Sequence, residues 1–289
     1  MRSWGLSPEG MPRSDTGSVR ARLASIGLAR LVLFLDFDGT LVPIAARPEH
    51  VTLNATVRRR LDRLARLIPV IVVSGRSVGD LRRIIGLRRL HYIGLHGFSY
   101  AKPGRSTSWL AARPPRQMVR RWKQALNNVA GLVDGAWVED KGISVALHDR
   151  QVKARARPRL RRCAIEALGG WLSGKQIRLL RGKQVLEVLP AIDCDKGTAV
   201  SRLLQEPWAR CRVPVYLGDD VTDLPALALA GRSGAAIQVG SIPGAPKRYF
   251  RLANSKAVEA LLNDLAHRLN HESPRSLSVS RPRGSRPLR

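Results

Sequence analysis

The sequence predicts an α/β protein built on a doubly wound, Rossmann-like parallel sheet, with a second, smaller α+β unit inserted into it. Three observations predict this. Apolar runs at 31–35, 70–73 and 213–217 each end in an acidic or hydroxyl cluster, the pattern of buried parallel strands with polar groups at their C-terminal edge. Segments of helical period lie between these runs, and strand–helix alternation makes a parallel sheet. The block 101–188 interrupts the alternation with paired short strands and two helices, as an insertion does.

Taken in order, residues 1–27 carry Pro, Gly, Ser and charge without a clear period and are expected to be a flexible segment, with Met11 an alternative start. Leu31 to Leu35 is the first strand, ending at Asp36-Phe37-Asp38-Gly39-Thr40. Thr52 to Leu67 has apolar positions at helical spacing, with Thr52 or Asn54 near its cap and Pro69 beyond its end. Val70 to Val73 is a strand ending at Ser74-Gly75-Arg76, Asp80 to Ile85 a helix, and His91 to Leu95 a strand. These elements and the chain from 189 to 271 form the expected catalytic core, and 101–188 the inserted unit.

Inside the insert, Gln117 to Val129 and Pro158 to Leu172 read as helices. Ala136 to Val138, Ser144 to His148, Gln176 to Leu180 and Gln184 to Leu189 read as strands, the last pair a hairpin turning at 181–183. Alternation then resumes with a helix at 196–204, a strand at 213–217 ending in Gly218-Asp219-Asp220, a helix at 223–230, a strand at 234–239 and a final helix at 257–269. The tail from 272 to 289 holds five arginines with Ser and Pro and no acid after Glu272, a composition expected to stay disordered.

Composition narrows the function classes. A 289-residue chain that is 44% hydrophobic can bury a full core. Fifty basic against 22 acidic residues give a net charge of +28, a field that attracts phosphorylated substrates, nucleic acid or anionic membranes without choosing among them. Cys163, Cys194 and Cys211 form neither a disulfide framework nor a CxxC pair, so they read as reduced thiols of a cytoplasmic protein. No apolar run approaches the roughly 18 residues that a membrane span needs.

Four clusters carry the chemistry, all at strand ends, where ligands of such sheets bind. Asp36 and Asp38 place two carboxylates close together, costly unless a cation such as magnesium screens them. Ser74 and the N–H groups of the Gly75-Arg76 turn suit a phosphoryl oxygen. Lys196, in Asp195-Lys196-Gly197-Thr198, offers a point charge to a phosphate or a carboxylate. Asp219, Asp220 and Asp223 form a hard-cation site, although acids in a helix's first turn also serve its dipole. Taken singly, each is also what a solvated turn or a capped helix looks like.

Together, DFDGTLVPI at 36–44, VSGR at 73–76, DKGTAV at 195–200 and LGDDVTD at 217–223 resemble the four motifs of the haloacid dehalogenase class in its trehalose-6-phosphate phosphatase version. The resemblance runs from about residue 31 to 265. In the insert, Glu139, Lys141, Ser144 and His148 resemble the family's cap pattern E-x-K-x-x-S-x-x-x-H, followed by Arg150, and Glu187 matches a further position. Two positions depart from the pattern: Asp149 stands where the family usually has Tyr, and Ser99 where it usually has an acid.

The resemblance implies hydrolysis of trehalose 6-phosphate to trehalose and phosphate. Asp36 would be the nucleophile, Asp38 the general acid and base, and Lys196 the neutralising cation. Magnesium would sit on Asp36, Asp38 through its carbonyl, and Asp219, with Asp220 and Asp223 in support. Thr40, Ser74, Gly75, Arg76 and Asp223 would serve the phosphoryl end. Glu139, Lys141, His148, Arg150 and Glu187 would serve the sugar, with the insert acting as a lid. A monomer coupled to a trehalose-6-phosphate synthase is expected, with neither membrane nor nucleic acid as partner. Another sugar-phosphate phosphatase, a phosphomutase, or a basic nucleic-acid-binding protein on a degenerate scaffold remain alternatives.

Overall fold

The computed structural model describes residues 16–45, 50–182 and 184–272. The chain runs α1 (Thr16–Ile26), β1 (Leu31–Asp36), α2 (Ala55–Ala65), β2 (Val70–Val73), α3 (Val78–Ile85), β3 (His91–Gly94), β4 (Ser99–Ala101) and β5 (Thr107–Trp109). It continues through α4 (Arg116–Ala130), β6 (Trp137–Asp140), β7 (Val145–His148), α5 (Arg157–Ala167), α6 (Gly169–Ser173), β8 (Ile177–Gly182) and β9 (Val185–Pro190). It ends with α7 (Lys196–Leu204), β10 (Val213–Gly218), α8 (Leu224–Ser233), β11 (Ala235–Val239), β12 (Phe250–Leu252) and α9 (Ser255–Glu272).

The strands form two sheets, one of eight strands in the order β12-β11-β10-β1-β2-β3-β4-β5 and one of four in the order β6-β7-β9-β8. The first six strands of the large sheet are parallel, and β4 and β5 add to its edge as an antiparallel hairpin. All six residues of β1 are buried, because side chains alternate between two covered faces. Leu31, Leu33 and Leu35 pack on one side with Leu61, Ile85 and Leu262 from α2, α3 and α9. Val32 and Phe34 pack on the other with Val200 of α7 and Leu227 of α8. The expected doubly wound core is therefore present, with helices on both faces.

The smaller sheet is wholly antiparallel, and α4 and α5 cover it through Trp122, Leu126, Leu160 and Ala164. A small apolar cluster of Leu95, Phe98, Ile143 and Leu189 joins the two units. No helix among the described residues is long and apolar enough to cross a membrane.

Several expectations need correction. Order does not begin near residue 28: α1 buries Val19 and Leu23 in the core, and Arg22 ties it down by donating to the Gly234 carbonyl at 3.0 Å. Its sequence hid this because the apolar stripe is narrow and charged residues flank it. Residues 1–15 of the expected flexible segment, and 273–289 of the expected disordered tail, lie outside the described residues. The segment from 101, assigned to the insert, begins within the core sheet: Ala101 closes β4, and β5 pairs with that strand. The helix at 158–172 is two helices that meet at Leu168, where Gly169-Gly170 weakens the helical run. Strand β12 was not anticipated; three residues bounded by loops carry little period.

Candidate active site

Strand register brings the motifs together. Strand β1 lies between β2 and β10, with Asp36 opposite Val73 and Leu35 opposite Leu217. Asp36, Ser74 and Asp219 therefore emerge side by side where the chain departs from β1 to opposite sides of the sheet. Asp195 caps α7, accepting from the Thr198 N–H at 2.7 Å, while the Thr198 hydroxyl accepts from the Asp195 N–H at 2.8 Å. This capping box sets Lys196 as the first residue of its helix.

Lys196 is 3% exposed and donates to Asp36 and to Asp223, each at 2.7 Å. Asp223 has no exposure and accepts from three further donors: the Tyr216 hydroxyl at 2.6 Å and the backbone N–H groups of Asp219 and Asp220 at 3.2 and 3.0 Å. Its four acceptor positions are thus engaged. Asp223 positions Lys196 and the 218–220 turn instead of meeting a phosphate, which corrects its expected place among the substrate-binding residues.

Oxygens of Asp36, Asp219 and Asp223 lie within 4.8 Å of one another, all buried. Burial pushes the Asp36 carboxyl well above its ordinary range, and the Asp223 and Asp219 charges push it further, against the pull of Lys196. Burial works against Lys196, yet Asp223 and Asp36 hold its ammonium above the ordinary lysine value. Three carboxylates against one ammonium leave an excess of buried negative charge, which suits a hard divalent cation. The close fit extends to Gly39, whose φ is +91° and whose missing Cβ would lie 2.0 Å from Asp219 Oδ2.

Asp38 is held differently. Arg76 forms a fork on it, Nε to Oδ2 and Nη2 to Oδ1, both at 2.7 Å, while lying over the Phe37 ring. Arg76 N–H also donates to Ser74 Oγ at 3.1 Å, shaping the turn after β2.

The small sheet supplies the facing wall. Glu187, 3% exposed, accepts from Lys141 at 2.9 Å, Ser144 at 2.6 Å and His96 at 3.0 Å. Burial opposes its ionisation, but Lys141 and His96 hold its carboxyl far below the ordinary range. His148 pairs with Glu139 at 2.9 Å and stacks on Trp137 with ring centroids 3.8 Å apart. Arg150 bonds Gln184 at 3.1 Å and the Ala45 carbonyl.

One cavity of about 180 Å³ joins the two walls. Asp36, Asp38, Ser74, Gly75, Arg76, Lys196, Asp219 and Asp220 line it from the core, and Glu139, Lys141, His148, Arg150 and Glu187 from the insert. Thr40 and Asp223, expected in the site, do not line it; Thr40 is fully buried and its hydroxyl has no partner among the described residues. Of the two departures, Ser99 is buried in β4 and Asp149 pairs with Arg161 of α5 at 2.6 Å, so neither lines the cavity. The cavity also takes His96, Ile44, Leu180 and Val185, which were not anticipated. Only His96 had a signal, its place in His96-Gly97 after an apolar strand.

A family model described as trehalose-phosphatase matches residues 34–241, a span holding every residue of the cavity wall named above. The chain belongs to the trehalose-phosphatase family. The trehalose-phosphate phosphatase of Mycobacterium ulcerans is 35% identical over 230 residues, covering 78% of this chain and 58% of that relative. Trehalose-phosphate phosphatase B of Arabidopsis thaliana is 28% identical over 250 residues, covering 82% and 66%. The chain thus spans less than two thirds of the length of these curated relatives. Among solved structures, the C-terminal domain of the C. albicans trehalose-6-phosphate phosphatase superposes with a TM-score of 0.75 at 21% identity, covering 86% of this chain and 96% of that one. A haloacid dehalogenase-like hydrolase from Bacteroides thetaiotaomicron gives 0.57 at 14%, covering 81% and 99%. These likenesses establish the shared fold. Membership places the four strand-end clusters in a family context that none of them supplied alone.

Proposed function

We propose that this protein hydrolyses trehalose 6-phosphate to trehalose and phosphate, with Asp36 as nucleophile. The observation that carries this reading is the single cavity in which the Asp36–Lys196–Asp219 cluster faces the Glu139, Lys141 and Glu187 group. One end suits a phosphoryl group and the other suits hydroxyls, the two halves of a phosphorylated sugar. The names of the relatives, trehalose-phosphate phosphatases, support trehalose as the sugar.

An Asp36 oxygen attacks phosphorus, the bond to the sugar oxygen breaks, and an aspartyl-phosphate remains. Asp38 gives its proton to the departing oxygen, then takes one from the water that attacks phosphorus; the bond from phosphorus to the Asp36 oxygen breaks, phosphate leaves, and both carboxyl groups end as they began. Arg76 holds Asp38 by both oxygens in this structure, so Asp38 must give up part of that fork to reach the leaving group. Arg76, between Asp38 and the Ser74 turn, is placed to donate to a phosphoryl oxygen in exchange. Ser74 and Lys196 steady the remaining oxygens, and Lys196 offsets repulsion between Asp36 and a dianionic ester. Magnesium is the cofactor of this reading, and Asp36 and Asp219 would hold it, with the Asp38 carbonyl and Asp220 in support. When bound it supplies charge neutralisation at the phosphoryl group.

The inserted unit acts as a lid that excludes bulk water and selects the sugar. Three donors already occupy Glu187, leaving about one acceptor position. Lys141 and Glu139 therefore carry more of the hydroxyl recognition than Glu187. The enzyme is proposed to work as a cytoplasmic monomer on the product of a trehalose-6-phosphate synthase.

The test is phosphate release from trehalose 6-phosphate, sucrose phosphate and glucosylglycerate phosphate, with magnesium or with EDTA. Trehalose 6-phosphate should be preferred and EDTA should abolish turnover. Asp36→Asn should lose about 10³-fold or more in kcat while its circular dichroism is unchanged. Near-normal turnover in that variant overturns the mechanism. Preference for another sugar moves the substrate but keeps the class. Isomerisation of the phosphosugar without phosphate release indicates a mutase, and salt-sensitive DNA binding with no turnover indicates the nucleic-acid reading.

A further inference from the structure

His96 has no part in the mechanism above, yet it occupies an unusual position. It follows β3 in a tight turn where Leu95 and His96 both hold left-handed backbone, with φ of +53° and +56°. Non-glycine residues rarely adopt this conformation, and two in succession persist only where surrounding contacts over-determine them. Those contacts are specific. Leu95 N–H donates to the Arg76 carbonyl at 2.8 Å, and His96 N–H to the Ser74 carbonyl at 3.1 Å. Gly75 is a glycine because the His96 ring lies against it: a Cβ there would sit 2.4 Å from His96 Nε2. Gly97 closes the turn on α7, with its missing Cβ 2.3 Å from the Asp195 carbonyl oxygen.

From this turn the His96 ring crosses to the other unit and bonds Glu187 at 3.0 Å, with side-chain exposures of 12% and 4%. Glu187 in turn accepts from Lys141 at 2.9 Å on the same oxygen. One residue therefore touches the Ser74–Arg76 turn by its backbone and ring, and the Glu187–Lys141 pair by its ring edge.

We infer that His96 is a positioning residue for sugar recognition, fixing the hydroxyl-binding Glu187–Lys141 pair at a set distance from the phosphoryl-binding Ser74 turn. This rests on the function proposed above and adds the residue that measures substrate length. A phosphate ester of matching length meets both ends at once. An ester without a sugar engages only the phosphoryl end and gains little from the clasp.

The experiment compares wild type with His96→Asn and Glu187→Gln on trehalose 6-phosphate and on para-nitrophenyl phosphate. Asn accepts left-handed backbone, so the turn survives, but its amide is too short to reach Glu187. For His96→Asn, KM for trehalose 6-phosphate should rise more than kcat falls. The ratio of kcat/KM between the two esters should drop by about tenfold to hundredfold, as expected for a lost charge-assisted hydrogen bond. Glu187→Gln also weakens the bonds from Lys141 and Ser144, so it should cost more than His96→Asn, and the double variant should lose less than the sum of the two single changes because they share the His96–Glu187 link. Equal losses on both esters, or an unchanged ratio, overturn the inference. If wild type cleaves para-nitrophenyl phosphate but not trehalose 6-phosphate, the substrate assignment fails, and the ratio is read with whichever phosphosugar it cleaves. Amide exchange supplies an arm free of turnover: His96→Asn should speed exchange around 75–76 and 141–145, and a pattern identical to wild type overturns the clasp whatever the enzyme cleaves.

Discussion

Replacing Lys196 with Met removes the one ammonium between two buried carboxylates while keeping similar apolar bulk. Lys196 bonds Asp36 and Asp223, each at 2.7 Å, with side-chain exposures of 4%, 6% and 0% for the three residues. Removing one partner of a buried ion pair costs about 3–5 kcal/mol, because the remaining charge is left uncompensated. Asp223 keeps its bonds from Tyr216 and from the N–H groups of Asp219 and Asp220, so most of the loss falls on Asp36. Asp36 is already pushed towards its neutral form by burial and by Asp223, so protonation relieves part of the penalty. The low end, about 3 kcal/mol, is therefore expected in EDTA. At about 2–4 °C per kcal/mol for a chain of this size, the melting temperature should fall by about 6–12 °C. Urea unfolding and thermal scans, each with EDTA and with magnesium chloride, measure it. Two companions sharpen the test: adding Asp36→Asn should recover at least half of the loss, and magnesium should stabilise Lys196→Met more than wild type, since a cation substitutes for the missing charge. A midpoint within about 1 °C of wild type in EDTA refutes the charge accounting.

Further outcomes follow from neighbouring features. Gly39→Ala meets Asp219 Oδ2 at 2.0 Å in backbone that disfavours any Cβ, so Asp219 must move. Its apparent magnesium affinity, read from activity titrations, should weaken by about tenfold or more, and an unchanged titration would sink the assignment of Asp219. Glu187 is held below its ordinary value of 4.5 in the fold, so its contribution is present above that value and is lost as pH falls through the lowered one. Wild type should therefore lose more stability than Glu187→Gln between about pH 6 and about pH 3.5; parallel curves would deny the clasp its charge. Arg76→Lys keeps the charge but breaks the fork on Asp38, and should lower kcat by about tenfold; an unchanged kcat would mean that the fork is incidental.

Much of this protein was legible in the sequence, for a physical reason. Buried parallel strands must be continuously apolar and must end where the sheet edge admits polar groups. Residues 31–36, 70–74 and 213–219 therefore announced both the core and the position of its chemistry. The helices after β1, after β2 and at 196–204 were foreshadowed by their period, and the first also by Asn54 near its cap, because period and capping involve only a few neighbouring residues. The doubly wound core followed from the same alternation, whereas the placement of β1 between β2 and β10 came only with the fold.

Tertiary structure decided what depends on contacts between distant residues. Helix α1 is stable because its narrow apolar stripe finds the far side of the sheet, which no local period reveals. Asp223 reads like a ligand until four donors from three places surround it. Ser99 and Asp149 look like altered site residues until one is buried in β4 and the other is turned to Arg161. His96 gains its meaning only from Glu187, 91 positions away in the chain. Periodicity and capping act over a few residues and can be read in one dimension; the pairing of buried charges is settled only when the chain has folded them together.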